Sequence, residues 1–167
     1  GYLALQRFTG YAMFNRAIIA YGADRNLDLV EEKVRRSVAV ERSDVFYRTL
    51  TDIYMARLQD LANRQPTDSE IEALRNQFQQ YLSGAVGSAQ EATNVNSANY
   101  QNWMNLARVY GSVIPFKLDG AYEQALASYD QALALYPGSP SIYLAKAQLE
   151  ITKGDTVKAR EFINESL

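Results

Sequence analysis

Residues 120–155 read GAYEQALASYDQALALYPGSPSIYLAKAQLEITKGD, and the placement of Ala, Tyr and Leu in this stretch decides the fold. Ala125, Tyr129, Ala132 and Leu133 recur at intervals of about three to four residues, which aligns them on one face of an α-helix. The segments YPGSP (136–140) and KGD (153–155) interrupt that period with residues that cap helices or make turns. Small residues such as Ala107, Ala125, Ala132, Ala147 and Ala159 let neighbouring helices approach, while Leu106, Tyr110, Tyr129 and Leu133 fill the space between them.

The same punctuation recurs at GADRN (22–26), ERSD (41–44), NRQPTD (63–68), NVNSAN (94–99) and GSVIPFKLDG (111–120). No alternating Val/Ile/Thr-rich run is bounded by turns as a strand would be. The expectation is therefore all-α: seven breaks delimit eight helices, which pair into about four antiparallel hairpins. Thr67 and Glu70 after Pro66 form a capping box that predicts a helix start near Thr67, the hydroxyl meeting an orphan N–H and the carboxylate reaching back. In the long helix that follows, Gly84, Ala85, Gly87, Ser88 and Ala92 make a small-residue strip. Helical glycine costs ~1 kcal/mol against alanine, so close backbone contact is expected to offset Gly84 and Gly87.

With 167 residues, 47% of them apolar, the chain is long enough for a single domain over 1–167. Seventeen basic against nineteen acidic residues offer neither a footprint for nucleic acid nor a polybasic membrane signal. The absence of cysteine and histidine removes thiolate chemistry, disulfides, the commonest general base and the commonest metal ligand. The apolar stretch YLALQRFTGYAMFNRAIIAYGA is interrupted by Gln6, Arg7, Thr9, Asn15 and Arg16, so it reads neither as a membrane span of ~20 apolar residues nor as a signal peptide. A start at Gly1 suggests a piece of a longer protein.

WMNLARVY places Trp103, Leu106, Ala107 and Tyr110, and GAYEQALASYDQALALYP places Gly120, Tyr122, Ala125, Tyr129, Ala132 and Pro137, at the spacing of the tetratricopeptide repeat, a unit of about 34 residues in two helices. The chain resembles that family. YLAKAQLE…GDTVKAREF follows the pattern with Tyr143, Lys146, Ala147, Gly154, Asp155 and Ala159, although Glu150 stands where the pattern has Tyr. YRTLTDIY places Tyr47, Leu50, Thr51 and Tyr54 on the same spacing. The hairpins are expected at about 2–41, 44–94 with an elongated second helix, 98–137 and 140–167. The first is atypical, with Ala12, Leu27, Val30, Val34 and Ser37 as its contacts. The resemblance implies hairpins stacked into a right-handed α-solenoid. Such arrays need polar caps, so the end at Leu167 suggests that the protein continues or that this end pairs with another copy.

Four groups of residues bear on function. The acids Asp28, Glu31 and Glu32, and Asp68, Glu70 and Glu72, sit at helix starts, where the helix dipole already accounts for them; no catalytic or metal role is expected, and no cofactor. Lys33, Arg35, Arg36 and Arg42 are interleaved with Glu31, Glu32 and Glu41, which reads as a solvated helix face, the alternative being an anionic-partner patch. Tyr47, Tyr54, Tyr110, Tyr122, Tyr129 and Tyr143 are explained by packing, whereas Tyr2, Tyr11, Tyr21, Tyr81 and Tyr100 are open to packing or surface contact. SVIPFKLD, with Val113, Ile114, Pro115 and Phe116, is either a protruding contact or an apolar loop folded over its own repeat.

The family resemblance implies a concave groove lined by first-helix residues. By spacing these are Val45, Arg48, Asp52 and Met55, then Gln101, Met104, Arg108 and Ser112, then Ser141, Leu144, Gln148 and Thr152. Their mixture of charge and apolar anchors suits a protein or peptide partner, or else the groove holds only solvent. Family members that clamp a peptide's C-terminal carboxylate use Lys and Asn on this face. Here Arg48/Asp52, Met104/Arg108 and Leu144/Gln148 replace them, which argues against that ligand.

An aromatic-rich SDVFYRTLTDIYMARL, a long Gln/Ala helix ending in EATNVNSANYQNWMNLARVYGSVIP, and then the regular repeat form an order similar to the region after the membrane spans of bacterial O-antigen ligase and polymerase-like polytopic proteins. That resemblance implies a non-catalytic scaffold on the extracytoplasmic side of a bacterial membrane, itself making no membrane contact. The alternatives are a free-standing adaptor, which would be cytoplasmic, and an accessory domain touching glycan or lipid-linked substrate.

Overall fold

The computed structural model describes residues 26–167. Among them are seven α-helices and no strand. They are α1 (Leu27–Val40), α2 (Asp44–Ala62), α3 (Ile71–Val95), α4 (Tyr100–Ser112), α5 (Ala121–Leu135), α6 (Pro140–Lys153) and α7 (Thr156–Glu165), with a 3₁₀ turn at Ile114–Phe116. Every helix break among the described residues falls where the turn-forming segments predict it. The further helix expected before residue 22, with Tyr2, Tyr11, Tyr21 and Ala12, lies outside the described residues.

Local chemistry explains the boundaries. Asn26 caps α1 by accepting from the N–H groups of Asp28 and Leu29 at 3.0 and 3.2 Å, and Asn99 caps α4 through the Gln101 N–H at 3.1 Å. Asp155 does the same for α7 through the Lys158 N–H at 3.0 Å. Pro140 opens α6, where its missing N–H costs nothing, and Gly154 ends it at φ +95°, a conformation that strains any residue with a Cβ. The capping box holds only in part: the Glu70 carboxylate accepts from the Thr67 N–H at 3.0 Å, but the Thr67 hydroxyl turns onto the same carboxylate at 2.6 Å. Regular helix then begins at Ile71, one turn later than Thr67 predicts.

The chain divides into two compact units, Gly1–Val95 and Asn96–Leu167, with the boundary between the second and third expected hairpins. In the first unit α2 pairs with α3 and also packs on α1. Val30 and Val34 of α1 meet Phe46, Leu50 and Ile53 of α2 in one buried cluster. Against the other side of α2, the small strip of α3 comes close: a Cβ on Gly84 would lie 2.7 Å from the Tyr54 ring, and the Ser88 hydroxyl meets that of Thr51 at 2.9 Å. Gly87 departs from expectation, since nothing lies within 4 Å of where its Cβ would be.

In the second unit α4 pairs with α5 and α6 with α7. The core joins Ala107 of α4, Ala125 and Tyr129 of α5, and Leu149 of α6, with Met104, Tyr110, Tyr122, Leu126 and Ala145 packed around them. Val113 is buried and Ile114 packs on this core, whereas Phe116 is 52% exposed, so the apolar connection folds back through its first half only.

Candidate partner-binding surface

The first helix of each hairpin contributes the residues expected to line a groove. On α2, Val45 packs against the α1–α2 core, and Arg48 is partly buried with its Nη1 3.2 Å from the Asp44 carboxylate. Asp52 is exposed and Met55 half-buried. On α4, Gln101, Arg108 and Ser112 are exposed, but Met104 packs against the core and is largely committed to structure. On α6, Ser141, Leu144, Gln148 and Thr152 are all exposed.

Helices α4 and α6 are direct neighbours, because a Cβ on Gly111 would sit 3.5 Å from Leu149 Cδ1. The exposed residues of these two helices therefore stand on adjacent rods of the second unit. Part of their hydrogen-bonding capacity is used locally: the Ser112 hydroxyl donates to the Val109 carbonyl at 2.7 Å, and that of Thr152 to the Gln148 carbonyl at 2.9 Å. Asn105 is a residue that the groove spacing missed. It is 8% exposed, its Oδ1 accepts from Arg108 Nη2 at 2.8 Å, and its Nδ2 is buried without a partner. Its position one turn from both Gln101 and Arg108 was the available signal. The surface so built displays a guanidinium, side-chain amides and one exposed apolar side chain, Leu144.

Most of the arginines of α1 and α2 and the segment between them are tied into the scaffold. Arg57 of α2 bridges to Asp28 at 2.5 Å and Glu31 at 3.0 Å, and Glu31 also accepts from the Tyr54 hydroxyl at 2.7 Å and from Arg35 Nε at 2.9 Å. Burial pushes the Glu31 carboxyl up, but the Tyr54 hydroxyl and the Arg35 and Arg57 guanidiniums outweigh it and hold it below the usual range. The ion pairs Arg36–Glu32 and Arg42–Glu91 absorb two more members of the basic run. The acids near Asp28 and the arginines facing them thus form cross-helix ties, and no group of three or more metal-ligating residues is assembled among the described residues.

In the second unit two motif positions are polar and buried. Lys146, 7% exposed, reaches Asp130 of α5 at 2.8 Å and lies 4.4 Å over the Phe162 ring of α7. Glu150, 1% exposed, accepts from the Tyr122 hydroxyl at 2.7 Å with Oε1 and has no partner for Oε2. Burial, with the Glu150 carboxylate as the next cause, raises the Tyr122 phenol to about 12. Among the tyrosines left open, Tyr81 packs 6.5 Å from Tyr54 under the Arg57 guanidinium, and Tyr100 lies 5.2 Å from the exposed ring of Tyr136.

This helical pairing, with alanines at the close contacts and tyrosine between the rods, is a repeat architecture, and residues 118–167 match the model of the tetratricopeptide repeat family. That segment is similar to a tetratricopeptide repeat. The structure of the chain is similar to TTC0263, a thermophilic tetratricopeptide-repeat protein of Thermus thermophilus (TM-score 0.70, 23% identity, 95% of this chain and 72% of that one). It is also similar to MamA, in one structure designated MSR-1 (0.58, 18%, 89% and 70%) and in another (0.59, 15%, 92% and 84%). At these identities the likeness is one of fold. No curated protein sequence matches the chain. Tetratricopeptide repeats point to a scaffold for protein interaction, a class that is generally non-catalytic.

Proposed function

We propose that the chain is a non-catalytic scaffold that binds an extended peptide or a helix of another protein across the first-helix face of α4 and α6. One observation carries this reading: Gln101, Arg108, Ser141, Leu144 and Gln148 are exposed on two adjacent helices, whereas the residues that define the repeat, such as Ala107 and Ala147, are buried. The ligand is a segment with a carboxylate or free carbonyls for Arg108 and the two amides, and an aliphatic side chain for Leu144. Val45, Arg48, Asp52 and Met55 of α2 are proposed as a separate face of this kind within the first unit. Peptides selected from a random library against the full chain, mapped by amide chemical-shift changes, test it. Shifts centred on Gln101, Arg108 and Gln148, with binding lost in Arg108→Glu, are expected. Shifts centred elsewhere sink the assignment.

The wider setting we propose is the extracytoplasmic side of a bacterial membrane, as a domain of an O-antigen ligase or polymerase-like polytopic protein. What supports it is the order of an aromatic-rich helix, a long Gln/Ala helix and the repeat. No helix among the described residues is long and apolar enough to cross a membrane, so any span would lie elsewhere in such a protein. Sequencing the gene upstream of Gly1 and fractionating its product discriminates the readings. A product without apolar segments of ~20 residues that stays out of membranes makes this a free-standing adaptor. The pair of Tyr100 with exposed Tyr136 favours a second reading, contact with glycan by ring stacking, and a glycan titration that leaves the Tyr136 environment unchanged rejects it.

A further inference from the structure

We draw no further inference here: the strongest candidate, the apolar tip of the connection between α4 and α5 where Phe116 is 52% and Leu118 42% exposed, carries nothing because nothing in the structure shows what covers it.

Discussion

Two glycines of one helix should respond in opposite directions to the same added methyl group. Alanine is favoured over glycine in a helix interior by about 1 kcal/mol, so Gly87→Ala, with nothing within 4 Å of its new Cβ, should stabilise the first unit by about that amount. Gly84→Ala gains the same propensity but places its Cβ 2.7, 2.7 and 2.8 Å from three atoms of the Tyr54 ring. That ring cannot swing away cheaply. Tyr54 is 6% exposed, and its hydroxyl donates to Glu31 at 2.7 Å, so moving it disturbs the tie between α1 and α2. Overpacking of this kind costs about 1–3 kcal/mol, which leaves Gly84→Ala destabilised by up to about 2 kcal/mol. The two variants should differ by about 1–3 kcal/mol in urea unfolding followed by circular dichroism, or by roughly 2–12 °C in thermal midpoint at ~2–4 °C per kcal/mol. If Gly84→Ala proves as stable as Gly87→Ala, the close approach of α3 to α2 is wrong.

Other consequences are read the same way. Tyr122, raised from 10 to about 12, contributes stability that is complete below pH 10 and is lost as pH rises to about 12, because only the unfolded phenol ionises early; Tyr122→Phe should flatten the loss of unfolding free energy between pH 10 and 12, and an unchanged slope would place the raised phenol elsewhere. Glu150→Gln removes a buried charge whose Oε2 has no partner while keeping an acceptor for Tyr122, so it should stabilise by about 1 kcal/mol in urea unfolding, and a loss of stability would show that the carboxylate is satisfied. Ala132→Leu inserts three carbons at a fully buried position of α5 and should cost ~1–3 kcal/mol; an unshifted midpoint would undo the register of the repeat.

Helix boundaries were legible because they are set by neighbouring residues: Asn26, Asn99 and Asp155 cap their own helices, and Gly154 takes a backbone angle that others avoid. The capping box was half legible for the same reason, since the reach of Glu70 is local but the choice made by the Thr67 hydroxyl depends on a rotamer. Less could be read where the decisive neighbour is far along the chain. Nothing in residues 84–88 says that Tyr54 approaches Gly84 and leaves Gly87 open. Nothing around Arg42 announces Glu91. Of the residues expected to line a groove, those on α4 and α6 other than Met104 are exposed. The period could not tell that Met104 is drawn into the core by Leu149 and its neighbours while Leu144, in the same position one hairpin on, is not.

That last contrast explains why departures from a repeat pattern carry more information than its agreements. Ala107, Ala125, Ala147 and Ala159 say only that helices approach closely, and they say it at every step. Lys146 and Glu150 occupy positions that the pattern fills with apolar or aromatic residues, and both are buried, so each must find a partner on another helix. Lys146 finds Asp130, and Glu150 finds Tyr122. An ion pair of this kind adds little net stability, because desolvation of the Lys146 ammonium offsets most of its Coulomb energy, but a helix in the wrong register would leave that ammonium buried and unmatched. The pair therefore selects which helix sits on α5.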